Sequence, residues 1–206
     1  MKIISLLFCI PLLMFVLKSS AVETEGLKGK PQIGITYSSF GSNDLVGFDK
    51  MIGGASYQGN GFFTLGITYL YPINKTFDFE TGIEYSKHSI IIEPYLPLIY
   101  HGKPVFIDFS LFTLPATLRV TFLKYFFVNG GLFLGFGGGN STSVANQNGV
   151  GINLGLGLKY DFKRNLSLFV NPYTKVHSLI PFTSVEARQR LFESGFRFGI
   201  LIRLHP

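Results

Sequence analysis

Two histidine-serine neighbours, His88-Ser89 and His177-Ser178, are the residues of this chain best suited to covalent chemistry. An imidazole beside a hydroxyl is the arrangement in which a base activates a serine nucleophile against an ester, and Glu84 or Glu93 could orient the ring. The spacing argues against it. Both pairs lie where strands end, and adjacent side chains in a strand point to opposite faces, so a persisting strand keeps His88 from reaching Ser89. No G-x-S-x-G elbow occurs in the chain. The glycine run from Gly135 to Gly139 lacks the Lys-Ser or Lys-Thr of a phosphate loop and opens no helix. The four histidines show no metal-ligand cluster. The sequence therefore assigns no catalytic, cofactor-binding or metal-binding residue, and the chain reads as a non-enzymatic protein.

A second set of chemical groups is spread along apolar segments. Glu80, Glu84, Asp108, Arg119, Lys159, Arg197 and Lys175 fall on the face opposite the large apolar residues. If that face is an interior, charges of opposite sign from neighbouring strands must pair, because an isolated buried charge is too costly to keep. Such a set is either a proton or ion path or a polar plug, and a narrow barrel favours the plug.

The elements that carry these groups are strands with a period of two. Ile33, Ile35 and Tyr37 alternate with Gln32, Gly34 and Thr36, and Phe63, Leu65, Ile67, Tyr69 and Tyr71 with Thr64, Gly66 and Thr68. Phe79, Ile83 and Tyr85 oppose Asp78, Glu80, Gly82 and Glu84. Leu132, Leu134 and Phe136 oppose Gly131, Phe133, Gly135 and Gly137. Ile152, Leu154, Leu156, Leu158 and Tyr160 oppose Asn153, Gly155, Gly157, Lys159 and Asp161. Further strands are expected over 166–176 and 192–204. The fourth, Val105 to Phe122, changes parity: Val105, Ile107, Phe109 and Leu111 precede Ala116, Leu118, Val120 and Phe122. A β-bulge near Leu114 and Pro115 is the expected cause.

Eight strands are then joined by connectors of 20, 5, 16, 2, 11, 3 and 15 residues, alternately long and short. Short turns at one end and long loops at the other, with an even strand count, mark a transmembrane β-barrel whose termini share the short-turn, periplasmic side. Composition agrees. The chain has 206 residues, 47% hydrophobic and only 15% charged, whereas a water-facing domain carries about 25% charge. The face without large apolar groups is rich in Gly, Thr, Ser and Asn, as the crowded interior of an eight-stranded barrel requires. Tyr69, Tyr71, Phe77, Phe79, Tyr125, Phe126, Tyr160 and Phe162 gather near the short turns as an interfacial girdle would. The expected fold class is all-β, an eight-stranded antiparallel up-and-down transmembrane barrel.

Residues 1–21 read as a signal peptide, with Lys2 before an apolar run from Ile3 to Leu17 and small residues Ser19 and Ala21 at the cleavage site. Residues 22–206 are then the barrel domain. The apolar run is shorter than the ~20 residues of a spanning helix. Cys9 is the single cysteine and lies in the signal, so no internal disulfide is expected. Lys2 and Lys18 leave with that segment, and the formal charge of +6 falls to +4. That charge is scattered, with Lys75, Lys124, Lys163 and Arg164 at the short turns, and it excludes the clustered basic face of a nucleic-acid binder. The loop from Ile90 to Pro104 is apolar and braced by three prolines, which suits a lid or a partner contact.

The stretch FTLPATLRVTFLKYFFVNGGLFLGFGGG, followed by GINLGLGLKYDF, resembles the PorT-like family of outer-membrane β-barrels, in an OmpX-like size. The shared features are an apolar strand with an internal Pro, a Lys-Tyr turn, a strand ending in Gly-rich aromatic residues, and a Gly-alternating strand. Arg197 to Leu204 is similar to the terminal-strand signal read by the barrel-assembly machinery, with Ile202 and Leu204 where aromatics are common. The resemblance implies location in the outer membrane of a Gram-negative bacterium, with lipid and lipopolysaccharide as surroundings. The expected function is the presentation of extracellular loops for adhesion, envelope organisation or secretion assistance, with a possible protein partner at those loops. The alternatives are a lipid-modifying hydrolase or acyltransferase, or a small-solute channel.

Overall fold

The computed structural model describes residues 29–47, 56–93, 104–138, 146–162, 165–182 and 189–204. The signal segment, Lys163, Arg164 and most of the apolar loop, 94–103, lie outside the described residues. Eight strands follow in chain order: β1 Gln32–Gly47, β2 Ser56–Pro72, β3 Phe77–Glu93, β4 Val105–Phe122, β5 Phe126–Gly138, β6 Gly149–Asp161, β7 Leu166–Pro181 and β8 Gln189–Arg203. Each pairs antiparallel with its neighbours in sequence, and β1 pairs with β8 to close the ring. Closure leaves no sheet edge, as a membrane wall requires.

Alternation sorts the side chains as the pattern predicts. Ile35, Ile67, Leu154, Leu156, Ile200 and Ile202 stand exposed on the outer wall. Thr36, Thr64, Thr68, Thr113, Thr117, Asn129 and Asn153 are buried inside. The outer surface is thus a broad apolar band, far beyond the few hundred Å² that a water-facing monomer exposes. Tyr125 and Tyr160 stack with centroids 6.0 Å apart, and Phe162 meets Tyr160 edge-on, at the short-turn end.

The short turns are set by local backbone chemistry. Asn74 Oδ1 accepts hydrogen bonds from the amides of Thr76 and Phe77, an Asx turn between β2 and β3. Leu123 and Lys124 both take positive φ, 48° and 67°, between β4 and β5. Two successive positive φ values give a turn whose twist matches that of the strands it joins.

Two expectations are corrected. Pairing of β4 with both β3 and β5 runs through Leu114 and Pro115 without a shift, so no bulge lies there. The parity changes because Phe109 and Leu111 point into the barrel, where they join Leu45, Ile90 and Leu191 in an apolar cluster. Register shifts lie instead between Ser39 and Ser42, Gly59 and Gly61, and Val150 and Ile152. The long connectors are also shorter than expected, because the strands run on beyond Phe40, His88 and Val176 and begin before Gly61 and Phe192. The polar stretch Gly41 to Asp44 hides one continuation. Asn43 is buried there and donates from Nδ2 to the carbonyls of Gly61 and Ser89, while its Oδ1 accepts from Gly61 N. Its amide supplies bonds at the bulge, where the ladder is interrupted.

Candidate functional site in the barrel lumen

The lumen is filled in layers, and the strand order sets their height. β3 rises from the short-turn end and turns Glu80, Glu84, Ser86, His88 and Ile90 inward in succession. Across the lumen β7 rises with Phe169, Asn171, Tyr173, Lys175 and His177 inward, and its neighbour β8 descends with Leu191, Glu193, Arg197 and Leu201.

Nearest the short turns, Leu70, Phe127, Phe169 and Leu201 form an apolar layer. Glycines make room for its rings. Phe127 lies opposite Gly157, and Phe169 opposite Gly199. A Cβ at either glycine would fall 2.2 or 2.1 Å from the ring, well inside contact distance. Arg119 lays its guanidinium over both rings, 4.1 and 4.9 Å from their centroids, a favourable use of the ring quadrupole in a dry site.

The next layer is ionic. Arg119 donates from Nε and Nη2 to Glu80 Oε2 at 3.1 and 2.8 Å. Arg197 Nη1 pairs with Glu80 Oε1 at 2.9 Å and with Glu84 Oε1 at 3.6 Å, while its Nη2 donates to Asn171 Oδ1 at 3.0 Å. Lys175 Nζ donates to Glu84 Oε2 at 2.6 Å, and Thr113 Oγ1 adds a bond at 3.0 Å. These are charge-assisted bonds between fully desolvated partners, which hold four strands in one register.

Above it lies a histidine layer. His177 Nε2 is 3.0 Å and His88 Nε2 3.5 Å from Glu193 Oε2, and the Tyr173 hydroxyl donates to Glu193 Oε1 at 2.5 Å. His88 is sandwiched between the rings of Phe62 and Phe109, and Phe133 meets His177 edge-on at 4.9 Å. The cluster of Leu45, Ile90, Phe109, Leu111 and Leu191 covers this layer on the long-loop side. Gln147 ties that cover down, donating to Gln189 O and accepting from Leu191 N. The buried ionic and histidine layers are therefore closed between apolar layers at both ends.

The expected lumenal charges are placed as follows. Glu80, Glu84, Arg119, Lys175 and Arg197 meet in the ionic layer. Lys159 lies at the short-turn rim, 3.6 Å from Asp161, which also pairs with Arg203 at 2.8 Å. Asp108 is corrected: with no bulge in β4 it faces outward, exposed, 3.5 Å from Lys87. The two His-Ser pairs are not at an open rim. His88 is buried while Ser89 points to the other face, where Asn60 Nδ2 donates to its hydroxyl at 3.4 Å. Ser178, at a positive φ of 50°, donates to Asn148 O instead of meeting His177. His88 does meet a serine, Ser86, at 3.1 Å, but through the same Nε2 that faces Glu193. A catalytic triad needs its carboxylate on the other ring nitrogen. His88 Nδ1 has no hydrogen-bond partner among the described residues.

Sequence reasoning missed the histidine layer. His88, His177 and Glu193 come from β3, β7 and β8, and one potential ligand atom from each lies within 4.8 Å of the others. The expectation that the histidines form no cluster is thus corrected by the ring closure, which brings residues distant in sequence together. The available signal was parity: His88 shares its face with Glu80 and Glu84, and Glu193 with Arg197.

The fold and its filled lumen define an eight-stranded up-and-down barrel of the outer-membrane type. Among solved structures the chain is similar to the outer membrane protein AlkL in lipid bilayers, with a TM-score of 0.50 and 10% identity over 92% of this chain and 98% of that one. It is also similar to OprG from Pseudomonas aeruginosa, with a TM-score of 0.48 and 14% identity over 87% and 97% of the two chains. Ail from Yersinia pestis follows at a TM-score of 0.39 and 17% identity over 86% and 100%. At these identities the likeness is one of fold. No family model and no curated protein matches the sequence.

Proposed function

We propose that this chain is a closed outer-membrane barrel that anchors its long loops at the cell surface, for adhesion, envelope organisation or assistance to secretion. The carrying observation is the sealed lumen. A solute path through eight strands would need a continuous wet column, and here ion pairs are packed between two apolar layers. The exposed apolar band supports residence in a membrane, and the short turns then face the periplasm. Under any of the three roles the long loops are the surface for a protein partner.

Planar-bilayer recordings on the refolded protein test the sealed lumen, with no discrete conductance above background as the expected result. Reproducible single-channel steps would overturn it in favour of a solute channel. Photocrosslinking in intact cells from Phe182, which stands exposed beside the loop end of β7, tests the loop role. One recurrent protein adduct is expected, and adducts to lipid alone would count against a protein partner.

A further inference from the structure

We infer that His88, His177 and Glu193 form a buried site for one divalent transition-metal ion, Zn²⁺ being the probe of choice. The inference is independent of the anchoring role.

Three observations carry it. First, the donor set is chemically apt: two imidazoles and one carboxylate are a combination that zinc accepts. Ligand bonds of about 2.0–2.1 Å place tetrahedral donors roughly 3.3–3.5 Å apart. The two imidazole Nε2 atoms stand 3.0 and 3.5 Å from the same Glu193 oxygen, so small adjustments admit a cation. Ser86 Oγ, 3.1 Å from His88 Nε2, offers a fourth donor.

Second, no Lys or Arg among the described residues is hydrogen-bonded to Glu193, and Lys175 acts on it only at longer range. Its side chain is 1% exposed, and among the described residues it is bonded to the Tyr173 hydroxyl and His177, with His88 Nε2 at 3.5 Å. Lys175 lies opposite it across the β7–β8 ladder, but its ammonium is bonded to Glu84. A directly bonded cation offsets the desolvation of a buried carboxylate more fully than a lysine shared with a second carboxylate. A metal among the three ligands would supply that direct contact.

Third, the Nδ1 atoms of both His88 and His177 have no hydrogen-bond partner among the described residues. Nε2 now directs its proton at Glu193, but the unpartnered Nδ1 can carry that proton instead, and each ring can then present the Nε2 lone pair to a cation. The same feature limits the affinity. Ligating histidines usually donate their second N–H to a carboxylate or carbonyl, and losing that support costs about 10- to 100-fold in binding. His88, His177 and Glu193 are all buried, which suits a structural ion.

The full chain is refolded in detergent with Zn²⁺ present, because the apolar layers close the site after folding, and is freed of loose metal by gel filtration. Close to one zinc per barrel is expected by elemental analysis. His177→Gln and Glu193→Gln should each lower retention at least tenfold while the barrel still shows heat-modifiable migration, and Lys87→Ala should leave it unchanged. Refolding with Co²⁺ should give the intense visible bands of tetrahedral nitrogen-oxygen coordination. Zinc retention by wild type no greater than by His177→Gln would overturn the site. So would a wild-type Co²⁺ spectrum without those bands, a readout that stands even where a variant fails to fold.

Discussion

Glu80 and Glu193 project into the same lumen with side chains equally hidden from solvent, at 1% exposure, yet their surroundings differ in kind. Glu80 is held between two guanidiniums, Arg119 and Arg197, at 2.8 and 2.9 Å. Glu193 is held by a phenol and the His177 imidazole, with the His88 ring at 3.5 Å. The lower layer is paired in charge, since its carboxylates meet fixed cations and Arg119 is further braced by two aromatic rings. The upper layer is hydrogen-bonded without being bonded to a fixed cation. A barrel that needed only filling could use the first solution at both heights, so the second marks the layer where a ligand adds most.

That contrast breaks hardest at Glu80. Glu80→Gln leaves two buried guanidiniums sharing one neutral amide, and removing one member of a buried pair costs about 3–5 kcal/mol. Glu193→Gln removes a charge that no lysine or arginine contacts, and keeps most of its bonding. Its expected cost in metal-free detergent is about 1–2 kcal/mol, the scale of one altered buried hydrogen bond. Urea titration followed by circular dichroism reads both, which suits a chain without tryptophan. Equal losses would mean that Lys175 serves Glu193 as fully as the arginines serve Glu80, and the two layers would be equivalent.

A smaller effect tests the floor of the ionic layer. Gly199→Ala puts a Cβ where the Phe169 ring lies, 2.1 Å from its nearest carbon. The ring must swing away from Arg119 and Arg197, and overpacking of this type costs about 1–3 kcal/mol. Gly61→Ala makes an instructive control. Its Cβ would meet nothing within 4 Å, but its φ of 114° strains any side chain, so loss there comes from backbone conformation. If Gly199→Ala proves harmless, the ring can leave the guanidinium freely and its stacking is not part of the plug.

The wall was legible in the sequence to a degree that the lumen was not. Ile33, Ile35, Leu154 and Leu156 declare their face by simple alternation, and the connector rhythm predicted an antiparallel ring, which the pairing of β1 with β8 closes. Glu80, Glu84, Arg119 and Arg197 were readable as inward by the same parity. Phe109 and Leu111 were misread because alternation distinguishes two faces but does not say which is inside, and an inward apolar cluster mimics a bulge. The extensions of β1 and β7 were hidden by turn-forming residues, Gly41 to Asp44, and by Ser178 at positive φ. The histidine layer depends on ring closure across β3, β7 and β8, contacts that local spacing does not encode.

The smallest expected effect comes from an ionic contact on the other side of the wall. Lys87 and Asp108 pair at 3.5 Å with side chains about half exposed, 49% and 54%. Solvent screens such a pair and its long side chain loses entropy to form it, so exposed pairs contribute about 0–1 kcal/mol. Lys87→Ala should therefore leave the urea midpoint nearly unchanged, where loss of Glu80 moves it most. The same position also checks the uninterrupted register of β4. In a Cys9→Ser background, Asp108→Cys should react readily with a membrane-impermeant maleimide and Phe109→Cys should be protected. Reversed reactivity would restore the bulge at Leu114 and Pro115, turn Phe109 outward, and remove the apolar cover from the histidine layer.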